Sequence, residues 1–346
     1  SLQSTGVPVT QLADNMSEFT PVGSQQLFFK VLVAGATAAE NRYQLWVSNG
    51  TSLGTLLVQD NFGTELANLT AVGTSLYFTV GNDLWVSDGT TTSRIDSFGA
   101  APATLLTVGS RLFAVDTSDN LYVLSGGALT RIVDASGAVM TSAAKLTAVG
   151  DSLYFTLVSG TVEQLYAVSA NSTTAAAITG GGDIRNPTDF VVLKDALFFI
   201  AASVDDAFKY VYRTSGEGTT RITAIDEAKN PTDLTSTADY LYFTGGLDTG
   251  PNADRELIRV TVGAKGAIDA VTVLSINNTA SSEPEILYAT ADRLFFTAIG
   301  ATKEGAVIPR ALWADNGVSQ QLLSVNGNGL TNGAGTVGNE EFGFAS

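Results

Sequence analysis

Two seven-residue words do most to limit what this chain can become. LWVSNGT runs from Leu45 to Thr51 and LWVSDGT from Leu84 to Thr90, 39 positions apart. A second word, Leu followed by an aromatic and usually by Phe, occurs seven times. Its copies are Leu27-Phe28-Phe29, Leu76-Tyr77-Phe78, Leu112-Phe113-Ala114, Leu153-Tyr154-Phe155, Leu197-Phe198-Phe199, Leu241-Tyr242-Phe243 and Leu294-Phe295-Phe296. The spacings of 49, 36, 41, 44, 44 and 53 residues fall in the range of a four-stranded sheet repeated along a chain. Each copy is followed by the Leu-Trp word or a weaker form of it: Leu45-Trp46, Leu84-Trp85, Leu121-Tyr122, Leu165-Tyr166, Val211-Tyr212, Leu257-Ile258 and Leu312-Trp313.

Between the words, β-formers alternate with turn residues, and no stretch carries the apolar spacing of a long amphipathic helix. The unit therefore reads as four strands. Strand A ends near Val72-Gly73, strand B is SLYFTV, strand C is DLWVS, a turn follows at Asp88-Gly89-Thr90, and strand D lies near Arg94-Ile95. Asp-Gly and Asn-Gly are tight-turn pairs, because Gly accepts a positive φ without steric cost and Asp or Asn bonds to the backbone just ahead. On this reading the repeated word is a folding device, with its Leu and Trp anchoring strand C against neighbouring sheets. The fold class expected is all-β, a β-propeller.

Composition agrees with short strands and frequent turns: 45% hydrophobic residues, 15% charged residues and 35 glycines. The longest apolar stretch, Phe190 to Ala202, is broken by Lys194 and Asp195, so no membrane insertion is expected. A formal charge of −16 repels phosphate backbones and anionic headgroups, which argues against nucleic acid as a partner. Histidine and cysteine are both absent, which excludes Ser-His-Asp and Cys-His nucleophiles, disulfides, and zinc or haem held by those ligands. An acidic, cysteine-free chain rich in Thr, Gly and Asn is expected of a bacterial protein working outside the cell or at its surface. No basic segment with an apolar run and cleavage site precedes Ser1, as in a mature form or a piece of a longer protein.

DLWVSDGT (Asp83 to Thr90) and QLWVSNGTSLGT (Gln44 to Thr55) resemble the bacterial repeat family named for the pattern Glu-Leu-Trp-x-x-Asp-Gly-Thr (ELWxxDGT). This chain departs from it with Asp83 and Gln44 in place of Glu and Asn49 in place of Asp. Asp315-Asn316-Gly317 follows Leu312-Trp313 closely, while the middle copies keep only an aromatic. The resemblance implies a part of a large secreted or surface protein, and it implies no particular chemistry.

The chain ends carry matching fragments. VPVTQLADN (Val7 to Asn15) is comparable with TLLVQDN (Thr55 to Asn61), and TVGNEEFGF (Thr336 to Phe344) echoes PVGSQQLFF (Pro21 to Phe29). These predict eight blades, with a closing blade shared by both termini in a single domain spanning residues 1–346; seven blades with decorated termini is the alternative.

From the strand B Leu to the strand C residue the distance is 18, 8, 9, 12, 14, 16 and 18 in units one to seven, whereas the rest of each unit varies less. The long B–C loops of units five, six, seven and one predict a polar crescent on one face, at Glu40, Asn41 and Arg42; Asp205, Asp206 and Lys209; Asp248, Asn252, Asp254 and Arg255; and Lys303, Glu304 and Arg310. The opposite face is expected to be plain except at the sixth-to-seventh junction. No catalytic residue is nominated, because the acidic residues are too scattered to single out a pair. No cofactor is expected, apart from a calcium ion that LDTGPNADRE (Leu247 to Glu256) could hold through its oxygens. The function expected is a non-catalytic binding or adhesion module presenting these loops to a protein or glycan at the cell surface. A structural spacer or surface-coat component, and a carbohydrate-active enzyme using two carboxylates in a central funnel, are the alternatives.

Overall fold

The computed structural model describes residues 15–63, 65–178, 184–203, 208–215, 219–221, 228–246, 254–277, 280–301 and 307–325. These form seven antiparallel sheets, each a four-stranded meander in chain order. Sheet I holds β1 (Met16–Val22), β2 (Gln26–Val33), β3 (Arg42–Ser48) and β4 (Thr55–Phe62). Sheet II holds β5 (Leu66–Val72), β6 (Ser75–Val80), β7 (Asp83–Ser87) and β8 (Thr92–Ser97). Sheet III holds β9 (Pro102–Val108), β10 (Arg111–Asp116), β11 (Leu121–Ser125) and β12 (Ala128–Arg131). Sheet IV holds β13 (Ala144–Val149), β14 (Ser152–Ser159), β15 (Val162–Ser169) and β16 (Ala176–Ala177). Sheet V holds β17 (Ile184–Leu193), β18 (Ala196–Ser203), β19 (Lys209–Thr214) and β20 (Thr219–Arg221). Sheet VI holds β21 (Lys229–Ser236), β22 (Tyr240–Gly246), β23 (Arg255–Val262) and β24 (Ile268–Leu274). Sheet VII holds β25 (Glu285–Ala289), β26 (Leu294–Ala301), β27 (Val307–Asp315) and β28 (Gln320–Val325). Two compact bodies result, one of residues 1–157 and 166–176 and one of residues 158–165 and 177–346.

Every copy of the Leu-aromatic word lies in a second strand, and every copy of the Leu-Trp word in a third. Their register is common too. The third letter of the first word pairs with the second letter of the second word at Phe29↔Trp46, Phe78↔Trp85, Ala114↔Tyr122, Phe199↔Tyr212, Phe243↔Ile258 and Phe296↔Trp313. Phe78 and Trp85 stack at 6.4 Å and Phe199 and Tyr212 at 5.8 Å, the cross-strand contact that pins register in a pleated pair.

Pleating sends alternate letters to opposite faces, and this decides how the sheets stack. In the first body, Leu76 and Phe78 of sheet II pack with Phe28, Leu45 and Val47 of sheet I. Leu112, Ala114 and Tyr122 of sheet III likewise pack with Val72 and Leu84 of sheet II, and Leu153 and Phe155 of sheet IV with Phe113, Leu121 and Val123 of sheet III. The second body repeats the rule. Leu241, Phe243 and Ile258 of sheet VI pack with Phe198, Ile200 and Val211 of sheet V, and Leu294, Phe296 and Trp313 of sheet VII with Tyr242 and Leu257 of sheet VI. Thus letters one and three of the first word meet the preceding sheet, and letter two meets the following one. Each such buried side chain contributes about 1.5–3 kcal/mol.

The turns after the third strands behave as their sequences require. Gly50, Gly89 and Gly317 take φ of +86°, +89° and +85°. A Cβ at Gly50 would meet nothing within 4 Å, whereas at Gly317 it would overlap the Tyr240 ring. Gly50→Ala is therefore expected to cost only the left-handed strain, about 1 kcal/mol, and Gly317→Ala about 3 kcal/mol or more. Urea midpoints of the two variants give the comparison.

A device that the words do not announce recurs in the first strands. Glu18, Asn68, Lys145, Asn186 and Asn230 have φ between +48° and +57°, and at each one the pairing of first with second strand slips. These are β-bulges, and three of their side chains join sheets; Glu18 Oε2 of sheet I accepts the Leu69 amide of sheet II at 3.3 Å. Asn186 Oδ1 accepts from the Glu163 amide at 3.0 Å, and Asn230 Oδ1 from the Lys209 amide at 3.2 Å, each at the start of the preceding third strand. Lys30 serves the same purpose between sheets I and II. It is buried, and it donates to Glu18 Oε1 at 2.7 Å, Glu65 Oε1 at 3.1 Å and the Leu66 carbonyl at 3.1 Å.

Of the closing blade, residues 1–14 and 326–346 lie outside the described residues, which hold seven sheets. The sixth-to-seventh junction departs from expectation in one respect. Its long connection, residues 275–284 between β24 and β25, lies at the end of the sheets that carries the second-to-third strand loops, because three consecutive antiparallel reversals return the chain there. The extra length therefore does not decorate the opposite end.

Candidate functional site

The Asp of the repeated word is absorbed by its own turn. Asp88 Oδ1 accepts from the Thr90 amide at 2.8 Å, the Thr91 amide at 2.7 Å and the Thr90 hydroxyl at 2.7 Å. These bonds, the Thr90 hydroxyl foremost, hold its carboxyl well below the usual carboxylate range. Asn49 Oδ1 and Asn316 Oδ1 accept the matching amides in sheets I and VII. One position earlier, Ser48 Oγ, Ser87 Oγ and Asp315 Oδ2 each accept the amide of the turn glycine at 3.0–3.1 Å. The word closes a turn.

Of the thirteen loop residues expected to bind, Asp205, Asp206, Asp248, Asn252, Lys303 and Glu304 lie outside the described residues. Glu40 and Arg42 lie in the first body, in the connection between β2 and β3 and at the start of β3. Glu40 Oε2 accepts the Ala36 amide at 3.0 Å, and Arg42 Nε stands 3.9 Å from Asp60 Oδ1; the latter is an exposed pair of small energetic weight. Asp254 and Arg255 lie in the second body at the head of β23.

Arg255 is engaged within its own sheet. Its guanidinium donates to Thr232 Oγ1 at 3.0 Å, Thr244 Oγ1 at 2.9 Å and the Asn230 carbonyl at 3.4 Å, so it braces the first strand of its own sheet. The neighbour on the opposite pleat face is the more unusual group. Glu256 is only 2% exposed, and its carboxyl receives the Ser282 hydroxyl at 2.6 Å and the Ser282 amide at 3.3 Å. Ser281 Oγ accepts the Arg255 amide at 3.0 Å and donates to the Arg255 carbonyl at 3.1 Å. The 275–284 connection thus docks onto β23 through two consecutive serines. Burial pushes the Glu256 carboxyl up to about 8, the Ser282 hydroxyl opposing this and the adjacent Asp254 carboxylate adding to it. One Asp254 oxygen is buried with no hydrogen-bond partner among the described residues.

Two adjacent carboxyls, one neutral near pH 7, have the ingredients of an acid–base pair. Their placement works against that use, since Glu256 is sealed from solvent and both its oxygens are occupied by Ser282. Among the described residues no group of three or more acidic side chains could hold a metal ion, and residues 247–253 of the expected calcium stretch lie outside them.

A second buried acid is tied down more fully. Asp315 has no exposed surface and accepts from the Tyr242 hydroxyl at 2.5 Å, Arg259 Nη1 at 3.1 Å, Gln320 Nε2 at 2.6 Å and the Gly317 amide. Burial, then the bond to Asp315, pushes the Tyr242 phenol well above its usual range. Tyr240 places its ring 5.3 Å from the Arg259 guanidinium carbon. This network joins sheets VI and VII, and sequence reasoning passed over it because Asp315 looked like one more turn residue.

No family model and no curated protein sequence matches the chain. Among solved structures, the β-propeller domain of the trilobed protease from Pyrococcus furiosus is 10% identical, covering 92% of this chain and 98% of that one at a TM-score of 0.40. The acylaminoacyl peptidase of Pyrococcus horikoshii is 12% identical over 90% of this chain at a TM-score of 0.39, and a prolyl endopeptidase 13% identical over 91% at 0.40. The chain spans about half the length of those two peptidases, 52% and 50%. Similarity this distant carries nothing about activity. No helix among the described residues is long and apolar enough to cross a membrane.

Proposed function

We propose that this chain is a non-catalytic binding module built on a β-propeller of eight blades, the last shared by both termini, that works at a bacterial cell surface or outside the cell. The observation that carries the reading is a division of labour among polar groups. The turns at one end of the sheets satisfy themselves (Asp88, Asn49, Asn316), and the buried acids satisfy the seams between sheets. The second-to-third strand loops, longest in units five to seven and one, carry charged residues in their sequence, among them Asp205, Asp206, Asp248, Lys303 and Glu304. The −16 charge favours a protein or a glycan over a nucleic acid, and the likeness to the Glu-Leu-Trp-x-x-Asp-Gly-Thr repeats supports the location.

Probing glycan and extracellular-protein arrays with the full chain tests this. A hit is expected to weaken about tenfold or more when Asp205, Asp206, Lys303 and Glu304 are changed to Ala together, as for the charged anchors of an interface. Binding that survives this variant, or an array with no hit, turns the assignment toward the spacer or coat component. Arg255 is unsuited to such a test because its loss loosens sheet VI.

A further inference from the structure

The described residues hold two Asn-Gly pairs, Asn49-Gly50 in sheet I and Asn316-Gly317 in sheet VII, each in the turn after a third strand. An Asn before Gly has a covalent option that other residues lack, because the glycine amide nitrogen can attack the side-chain carbonyl carbon with no Cβ in its way. The surroundings decide whether that option is used, and around Asn49 they favour it. Asn49 Oδ1 accepts from the Thr51 hydroxyl at 2.7 Å and the Thr51 amide at 3.1 Å. The hydroxyl is itself oriented, since it accepts the Gly54 amide at 3.0 Å. Two donors on one amide oxygen draw electrons from Cγ and steady the negative charge that an attack would place on Oδ1. On the other side the Gly50 amide donates to Ser48 Oγ at 3.1 Å, and that hydroxyl lies 2.8 Å from Thr55 Oγ1. Asn49 and Gly50 are both exposed, and a Cβ at Gly50 would meet nothing within 4 Å.

Sheet VII supplies the contrast. Asn316 Oδ1 also accepts two amides, those of Val318 and Ser319, each at 2.9 Å. Its Gly317, however, is buried against the Tyr240 ring, and the Gly317 amide donates to the buried Asp315 carboxylate at 3.0 Å. That nitrogen cannot turn toward Asn316 without breaking a buried hydrogen bond. Sheet II shows what a product would look like. Asp88 stands where Asn49 does and makes the same two bonds to Thr90, at 2.7 Å from the hydroxyl and 2.8 Å from the amide.

We propose that Asn49 is a site of self-catalysed deamidation, which rewrites the first word of the chain, LWVSNGT, as the second, LWVSDGT. The Gly50 nitrogen bonds to Asn49 Cγ while its proton passes by way of Ser48 Oγ to solvent. The tetrahedral carbon then expels Nδ2, which takes up a proton and leaves as ammonia, and a five-membered succinimide remains. Water adds at Cγ, the bond from Cγ to the Gly50 nitrogen breaks, and that nitrogen regains its proton. The sum is one water consumed and one ammonia released, with no oxidant or cofactor. Water attack at the main-chain carbonyl of the ring would give isoaspartate instead. The Thr51 donors activate Cγ in the opening as in the closing, so ordinary aspartate is the favoured product. The new carboxylate inherits the bonds that keep the Asp88 carboxyl ionised, and a carboxylate is a poor electrophile for renewed closure. The change therefore runs one way and adds a negative charge to the turn.

Incubating the full chain at neutral pH and mapping its peptides by tandem mass spectrometry tests this. Asn49 is expected to lose its amide about tenfold or more faster than Asn316 in the same sample, with aspartate exceeding isoaspartate. In concentrated urea the two sites should convert at one rate, and isoaspartate should predominate. Thr51→Val removes the hydroxyl from Oδ1 and should slow the conversion of Asn49 about tenfold, whereas a site governed by looseness of the turn alone would speed up. Circular dichroism checks that the variant is folded. Any of four results would overturn the proposal: native Asn49 as slow as Asn316, a gap between the two that persists in urea, a Thr51→Val rate equal to or above the native one, or isoaspartate as the main product of the folded chain. None of these readouts uses a binding partner, so the outcome is independent of the array screen.

Discussion

Asp315→Ala is expected to lower unfolding stability by about 4 kcal/mol, among the largest effects of any single side-chain truncation in the chain. Most of this comes from what stays behind. Arg259 keeps a guanidinium that is largely buried, Tyr242 keeps a fully buried hydroxyl, and the Gly317 amide loses its acceptor, so three groups are left desolvated without the carboxylate that all of them share. Asp315→Asn retains an acceptor and the shape, and should cost roughly half as much. Urea denaturation of both variants, followed by the fluorescence of Trp313 beside the network, gives the two numbers. Equal losses for Ala and Asn would mean that the charge, rather than the filled volume and the acceptor, holds this seam.

The second large effect is a dependence on pH in an unusual direction. Glu256 carries a folded-state pKa raised to about 8 from an ordinary 4.5. The folded chain therefore holds a proton that the unfolded chain releases, and stability is complete below about pH 4.5 and declines as pH climbs through about 8. The full span is worth about 4 kcal/mol, from roughly 1.4 kcal/mol per pH unit and some relaxation around the site. Acids whose folded pKa is lowered, such as Asp83 and Asp116, act in the opposite sense and only below their ordinary value of 3.8, so the two effects occupy separate pH windows. Denaturant midpoints between pH 4.5 and 8.5 should fall steadily in the native sequence and stay flat in Glu256→Gln, which keeps the bonds to Ser282 without a titrating proton. A native profile as flat as that of the variant would remove Glu256 from this role.

The second and third strands could be read because their content is apolar and periodic: Leu76-Tyr77-Phe78 and Leu84-Trp85 carry both the alternation and the partner of each strand. The first strands were harder. Their bulges fall on Glu18, Asn68, Lys145, Asn186 and Asn230, which share a backbone conformation and little else, and a positive φ leaves no mark in an apolar alternation. Arg255 illustrates the limit for the candidate site. A charged residue beside a long loop reads as exposed, yet β23 begins at Arg255 and turns it onto Thr232 and Thr244. Glu256 was missed for the complementary reason: its partner Ser282 lies 26 residues on in a connection without regular structure, and nothing in the letters brings it near.

The rule that the odd letters of the Leu-aromatic word meet the sheet before and the even letter the sheet after gives every unit a front and a back. A unit of this kind can be copied whole in the gene and inserted beside its parent, because each new seam repeats one already packed. It also keeps most contacts between neighbours in sequence, so assembly can start at any adjacent pair and spread outward, with a modest entropic cost per step. Divergence then falls on the segments that no seam constrains, and here those are the connections from second to third strand.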